Sequence, residues 1–160
     1  MKRAPAGVDL FEFAGNHLFY EAQMFVYAFA IQLSNPFYVF DADGLRQFEA
    51  NVRVEVIGLH MRNLIEFFYP GIARRDDVLA VHYVAHWDTK RPTITPLLDK
   101  ARGRANKELH HLTSQRISGT PDHKTWDFMP IREDLKNVVT IFISCQPNMP
   151  PKTIAQLLEI

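Results

Sequence analysis

The chain has 160 residues, of which 47% are hydrophobic and 22% are charged, a balance typical of a folded globular protein rather than a disordered one. Its 18 basic and 18 acidic side chains cancel, which excludes a global field that draws the whole surface to nucleic acid or to an anionic membrane. Any nucleic-acid site must therefore be a local patch. The length is enough to bury a core and predicts a single domain over residues 1–160.

Cysteine content and hydropathy indicate the compartment. Cys145 is the only cysteine, so it cannot form an internal disulfide, and we expect a small buried side chain in a reducing compartment. Polar residues such as Asp9 and Glu12 interrupt any signal-peptide core near the start. The longest nearly uncharged run, residues 24–33, is about half the ~20 residues needed to cross a bilayer. We therefore predict a cytoplasmic protein with no membrane span.

The first predicted helix covers Val8 to Leu33. Its apolar residues lie three or four positions apart, the spacing of one helix face, at Phe11, Ala14, Leu18, Ala22, Phe25 and Phe29. Ser34, Asn35 and Pro36 end it, because proline disfavours helical backbone in the residue before it and lacks an amide hydrogen.

A second long helix follows a short aromatic connector. It is predicted to begin near Asp41 or Asp43, where a short carboxylate can accept from exposed backbone amides, and to run to Tyr69. Its predicted buried stripe consists of Leu45, Phe48, Val52, Val56 and Leu59. Two long helices with a short connection predict an antiparallel pair, the start of a helical bundle.

Shorter elements come next. Asp76 and Asp77 predict the cap of a short helix that ends at Trp87. Residues 88–96 are predicted to form a loop because they contain Pro92 and Pro96. A third long helix is predicted to start near Pro96, since proline is tolerated in a first helical turn. Its apolar side consists of Leu97, Leu98, Ala101, Ala105, Leu109 and Leu112.

The last third is predicted to hold a loop at residues 118–124 and a helix start near Pro130. Residues 138–143 are β-branched enough for a strand, but a lone strand has no partner for its backbone groups. Helical spacing is met instead by Leu135, Val138, Val139, Phe142 and Cys145. The predicted fold is all-α, an up-and-down bundle of about four to five helices with short extra helices.

Residues 102–116 hold a dense group of cationic, imidazole and amide side chains on the third long helix. They are Arg102, Arg104, Asn106, Lys107, His110, His111 and Arg116. Arg104 and His111 are seven positions apart, so at ~100° per residue they lie on nearly the same face, with Lys107 between them. These three side chains form a candidate phosphate site.

A structural interpretation of the same segment stays open. Asn106, His110 and Thr113 lie at spacings of four and three, so we expect them to face a neighbouring helix. There they would make a hydrogen-bonding seam inside the bundle. For the candidate phosphate site, the alternative is a solvated basic face.

An arginine followed after four to six residues by a histidine, late in a helical bundle, resembles the motif of HEPN domains. Here Arg104 is followed by His111 after six residues, or by His110 after five. Residues 62–69, 76–79 and 106–113 also resemble segments of bacterial helical proteins, and the resemblance covers residues 42–117.

The resemblance implies metal-independent RNA cleavage without a cofactor, in a homodimer, and a place in a toxin–antitoxin or defence system. The residue types suit this chemistry, because histidine exchanges protons near neutrality and arginine neutralises a phosphate with paired donors. We predict catalytic roles for Arg104, His111 and His110. We predict RNA-binding roles for Asn106, Lys107, Arg102 and Arg116.

A second hypothesis is a non-enzymatic interaction module that binds a second copy or an antitoxin-like protein. Its surface would use Phe67, Phe68, Tyr69 and Trp87, for which an aromatic core is the alternative. The sequence has no glycine-rich phosphate loop, dinucleotide fingerprint or nucleophile elbow, so nucleotide hydrolysis, hydride transfer and esterase chemistry have no support.

A third hypothesis is a metal-binding four-helix bundle. His82 and His86 are four positions apart, and Glu108 and His111 have the Glu-x-x-His spacing of di-iron bundles. Two ligands are too few, and further candidates are His17, His60, Glu21, Glu55 and Glu66. Glu66 has another possible role: a surface ion pair with Arg62 is the default, whereas burial against Arg104 would orient that arginine.

Overall fold

A computed structural model describes residues 4–34, 45–109 and 126–160 of the chain. In these ranges the backbone is helical or irregular, and no strand occurs. The all-α prediction is therefore confirmed, and the helices pack as a bundle around a cluster of buried apolar side chains.

Helix α1 begins as Leu10–Phe13, passes through a π-helical turn at Ala14–Leu18 and continues as Phe19–Ser34. The Asp9 carboxylate starts it by accepting from two backbone amides of the first turn. At the π turn, the buried Thr153 hydroxyl donates to the Ala14 carbonyl at 3.0 Å. The predicted helix over residues 8–33 is thus confirmed to within two residues.

Helix α2 spans Leu45–Phe68. The predicted starting residues 41–44 and the side chains of 45–50 lie outside the described part. The predicted buried stripe is wrong, since Val52 is 39% exposed and Val56 and Leu59 are only partly buried. The buried face consists of Ile57, Met61, Leu64, Ile65 and Phe68. These residues also lie at helical spacing, but on nearly the opposite face of α2, because the apolar residues of this helix are spread over more than one face and spacing alone does not select which face is buried.

The predicted helix from Asp76 to Trp87 is also wrong. The structure has a 3-10 turn at Ala80–His82 and a short helix α3 at Trp87–Lys90, so the loop predicted over residues 88–96 begins only after Lys90. Asp77 accepts from the Arg74 amide and so caps a preceding turn instead of a helix. Residues 79–84 are all buried, which a surface helix with one apolar face cannot achieve.

Helix α4 spans Pro96–Arg104 and continues as a π-helical turn at Ala105–Leu109. The predicted start is confirmed, with Pro96 in the first turn and the Thr95 hydroxyl accepting from the Leu98 amide. On its apolar side Leu98, Ala101 and Ala105 are buried, Leu97 and Leu109 are partly buried, and Leu112 lies outside the described part.

Helices α2 and α4 run antiparallel along a close seam. Gly58 contacts Leu109, Arg62 contacts Asn106, and Glu66 contacts Arg102, so later positions on α2 meet earlier positions on α4. A Cβ atom on Gly58 would overlap the end of the Leu109 side chain. Glycine at this position therefore makes room for the end of the Leu109 side chain in its present conformation.

Helices α5 (Phe128–Ser144) and α6 (Pro151–Leu158) complete the bundle. Residues 138–143 are helical, as predicted, and α5 begins two residues before the predicted Pro130 with Asp127 as its cap. Cys145 is partly buried, and the predicted loop at 118–124 lies outside the described residues. The rings of Phe67, Phe68, Trp87 and Phe142 pack edge to face or tilted in the core.

These aromatic side chains are therefore core residues. Phe67, Phe68, Tyr69 and Trp87 are all buried, so the prediction that they form a partner surface is wrong and the core alternative holds. The physical reason is that large rings stabilise the fold by leaving water. No helix of the described ranges is both long enough and apolar enough to span a membrane.

Candidate functional site

The polar segment of α4 presents two different faces. Arg102 and Asn106, one turn apart, face α2, whereas Arg104 points to Trp126 just before α5. The sequence pattern predicted catalysis by Arg104 and RNA binding by Arg102 and Asn106, with an interhelical seam as the alternative for Asn106. The structure divides them between an interhelical seam and an arginine–tryptophan contact.

Asn106 and Arg102 hold the seam together. Arg62 donates from Nε to the Asn106 side-chain oxygen and from Nη1 to Asn63 Oδ1. Arg102 donates from Nη1 to the Tyr69 carbonyl at 2.7 Å and also contacts Asp99. Asn106 thus contacts a neighbouring helix, as the seam interpretation expects. The RNA-binding roles of Asn106 and Arg102 stay predictions.

Glu66 contacts Arg102, not Arg104. One Glu66 oxygen lies 4.0 Å from Arg102 Nε, and the other accepts from the Gly71 amide at 3.0 Å. The default prediction of an ion pair between Glu66 and Arg62 is therefore wrong, since Arg62 donates to Asn106 and Asn63. The alternative of Glu66 buried against Arg104 is wrong as well. The reason is geometric, because Arg104 lies two residues further along α4, on a different face from Arg102.

Arg104 is held between a carboxylate and an aromatic ring. Its Nε and Nη2 donate to the two oxygens of Glu108, each at 2.9 Å, across one turn of the helix. Its guanidinium carbon lies 4.1 Å from the centre of the Trp126 ring. The Trp126 ring in turn stacks on Phe128, with ring centres 5.3 Å apart and an angle of 11° between the ring planes. The Arg104 side chain is 20% exposed, so the cation is fixed in place near the surface.

The imidazoles proposed as Arg104's partners lie outside the described residues. This holds for His110 and His111, and also for Thr113 and Arg116. Lys107 is exposed. In the sequence, residues 110–125 stand between Leu109 at the end of α4 and Trp126, whose ring contacts the Arg104 guanidinium.

The π-helical turn alters the spacing argument. Arg104 and His111 lie on one face only if every residue between them turns by ~100°. Residues 105–109 are π-helical, and a π turn closes its hydrogen bond over five residues instead of four, so this condition is not met between Arg104 and Leu109. Sequence spacing alone therefore does not determine which histidine shares a face with Arg104.

A second polar group, missed as a unit by the sequence analysis, joins α1 to α2. Oε2 of Glu21 lies 2.7 Å from Nδ1 of the buried His60 and accepts from Asn63 Nδ2 at 3.1 Å. Glu21, Arg62 and Asn63 line a cleft of about 680 Å³ between α1, the end of α2 and residues 70–79. No spacing signal links these residues, because they are some forty positions apart in the sequence.

The histidines considered as metal ligands are dispersed. His82 is buried and accepts the Leu79 amide at Nδ1, whereas His86 is exposed in a left-handed conformation before α3, so the two do not share a helix face. His17 packs on Phe13, and His60 contacts Glu21. Across the described ranges, no three His, Cys, Asp or Glu side chains form a metal-ligand group.

The fold and site define an all-α bundle protein with a surface arginine held by tryptophan and glutamate and a separate polar cleft. No family model, curated protein or solved structure matches the chain.

Proposed function

We propose that the protein binds RNA and cleaves it without a metal, with Arg104 as the phosphate-binding cation and His111, or alternatively His110, as the proton-transfer group. In this reaction the ribose 2′-hydroxyl attacks the adjacent phosphate, and the 5′-oxygen leaves. Histidine takes or supplies the proton, and the guanidinium stabilises charge on the phosphate. No cofactor is required.

The arrangement of Arg104 carries this proposal. The Arg104 guanidinium lies over the Trp126 ring and donates two hydrogen bonds to Glu108. These contacts restrict the rotation of the side chain before substrate binds. Aromatic rings next to arginine also suit single-stranded RNA, whose bases stack on such surfaces. Glu108 is thus a positioning residue for Arg104.

The test is cleavage of a fluorescent single-stranded RNA by the full chain in excess chelator. Arg104→Ala and His111→Ala are each expected to lower the rate by about a hundredfold or more, because each removes a group that acts in the transition state. His110→Ala tests the alternative imidazole. Arg104→Lys keeps the charge without the paired donors and should recover only part of the activity.

Matched controls use the same residue types elsewhere on the surface. Arg75→Ala removes an exposed arginine, and His86→Asn removes an exposed histidine while tolerating its left-handed backbone. Both should cleave like the wild type, and thermal melting should show every variant folded. Undiminished cleavage by Arg104→Ala and by both single-histidine variants would refute the proposal.

A second candidate function is self-association through α1, and the exposed apolar side chains of this helix support it. Tyr20, Tyr27 and Ile31 are each about half exposed, and their spacings of seven and four place them on one face of the helix. A row of large exposed apolar side chains is typical of an interaction surface. We propose a second copy of the chain as its occupant, because a symmetric dimer buries the same face twice.

A further inference from the structure

The cleft of about 680 Å³ has the size of a small-molecule site. Its walls include the buried apolar side chains Leu18, Leu64, Phe67 and Leu79. Polar groups converge at its edge from α1, α2 and the segment after Pro70. Apolar walls with a few positioned polar groups are the usual composition of a ligand site.

The polar wall of the cleft is fixed by buried contacts. His60 is 5% exposed and lies behind Glu21, while Asn63 donates to the same carboxylate oxygen, Oε2. In the described part of the chain, the other oxygen, Oε1, has no hydrogen-bond partner among the residues around it. Glu21 is therefore a rigidly placed carboxylate that retains capacity to accept from a ligand.

The charge of the lining selects the sign of that ligand. The carboxylates of Glu21, Glu66, Asp76 and Asp77 face two guanidiniums, Arg62 and Arg74, so the formal sum is −4 + 2 = −2 with His17 neutral. Glu66 also lies 4.0 Å from Arg102, outside the lining, which compensates part of its charge, so the negative excess is carried by Glu21, Asp76 and Asp77. A net negative, half-apolar cleft favours cations and repels phosphates.

We propose that this cleft binds a small organic cation, a primary amine or guanidinium attached to an aromatic or aliphatic body. The cationic group donates to Glu21 and interacts with the neighbouring carboxylates, and the body packs on Phe13, Ile72 and Val78, lining residues that keep exposed surface. The Phe13 ring also attracts cations. This site is separate from Arg104 and does not depend on RNA cleavage.

The first experiment compares three probes of the same size on the full chain by calorimetry or ligand-observed NMR. They are phenethylamine, phenethyl alcohol and phenylacetate. The amine is expected to bind about tenfold more tightly than the alcohol, which corresponds to one charge-assisted hydrogen bond, and phenylacetate should bind least. Equal binding of amine and alcohol, or preference for phenylacetate, would overturn the proposal.

The second experiment locates the site. Asp76→Asn, at an exposed position, and Glu21→Gln, which keeps an acceptor for His60, should each weaken phenethylamine binding severalfold. Arg74→Ala should strengthen it. Glu55→Gln, an exposed carboxylate outside the cleft, is the matched control and should change nothing. If folded Glu21→Gln and Asp76→Asn both bind like the control, the cation lies elsewhere and the assignment fails.

Discussion

Arg102 and Arg104 show how far two residues of one type can differ in role. Arg102 donates to the carbonyl at the end of α2 and so holds two helices together. Arg104 contacts Glu108 of its own helix and Trp126, which precedes α5. Loss of Arg102 should therefore affect stability first, whereas loss of Arg104 should affect the proposed RNA chemistry.

Buried tyrosines make stability depend on alkaline pH. Burial raises the pKa of Tyr69 from 10.0 to about 12, against a smaller opposing effect of Arg91, and its hydroxyl donates to the Pro92 carbonyl. Burial also raises the pKa of Tyr83, whose hydroxyl donates to the Leu10 carbonyl. Both phenols stay protonated in the folded chain where the unfolded chain has released its protons.

We expect Tyr69→Phe to reduce this alkaline loss of stability. From pH 10 to about 12 the unfolded state binds fewer protons than the folded state, so the free energy of unfolding falls as pH rises. The contribution of Tyr69 is fully present below pH 10. Urea unfolding from about pH 9 to about pH 11 should show a shallower decline for Tyr69→Phe than for wild type.

Near neutral pH Tyr69→Phe should lose about 1 kcal/mol with its hydrogen bond to the Pro92 carbonyl. Identical pH slopes for wild type and Tyr69→Phe would contradict the assignment.

At the scale of helices, the two π turns mark places where α1 and α4 depart from regular geometry. In the turn at Ala14–Leu18, the Ala14 carbonyl accepts a hydrogen bond from the Thr153 hydroxyl, and Pro150 lies close to Gly15. The turn at Ala105–Leu109 carries Asn106 into the seam with α2. Single π turns often occur at functional sites, and here each meets a neighbouring helix or its preceding proline.

Substitution of Gly58 tests the α2–α4 seam. Alanine favours helix over glycine by about 1 kcal/mol, but its Cβ would displace the end of the flexible Leu109 side chain from its packing. We expect Gly58→Ala to stabilise the chain less than a glycine-to-alanine change at an uncrowded helix position, in urea unfolding. In a Leu109→Ala background the same change should stabilise, because the obstructing side chain is gone.

Gly103 on α4 is the matched control, since a Cβ there meets nothing within 4 Å. Gly103→Ala should stabilise the chain by up to about 1 kcal/mol. If Gly58→Ala were as stabilising as Gly103→Ala, the Leu109 side chain would not pack against Gly58 as the structure has it.

At the scale of the whole molecule, the exposed face of α1 bears on assembly. Tyr27 is 54% exposed, and we expect the chain to sediment as a dimer at micromolar concentration. Tyr27→Glu should shift it towards monomer, because the dimer would bury two unpaired carboxylates. Met129→Glu, at an exposed apolar residue of α5, is the control. A monomeric wild type would exclude this dimer.

The sequence by itself determined the helical elements whose apolar spacing and end signals agree. Helix α1, the start of α4 at Pro96 and the helical state of residues 138–143 follow from local periodicity and capping, which act over a few residues. It also singled out Arg104, which lies partly exposed on α4.

Only the tertiary structure decided which residues meet. The buried face of α2, the irregular path of residues 70–86 and the pairing of Glu66 with Arg102 depend on several neighbouring elements at once. The contact between Glu21 and His60, and the cleft it borders, join positions far apart in the chain. Such contacts arise from three-dimensional packing, which spacing along a single helix does not encode.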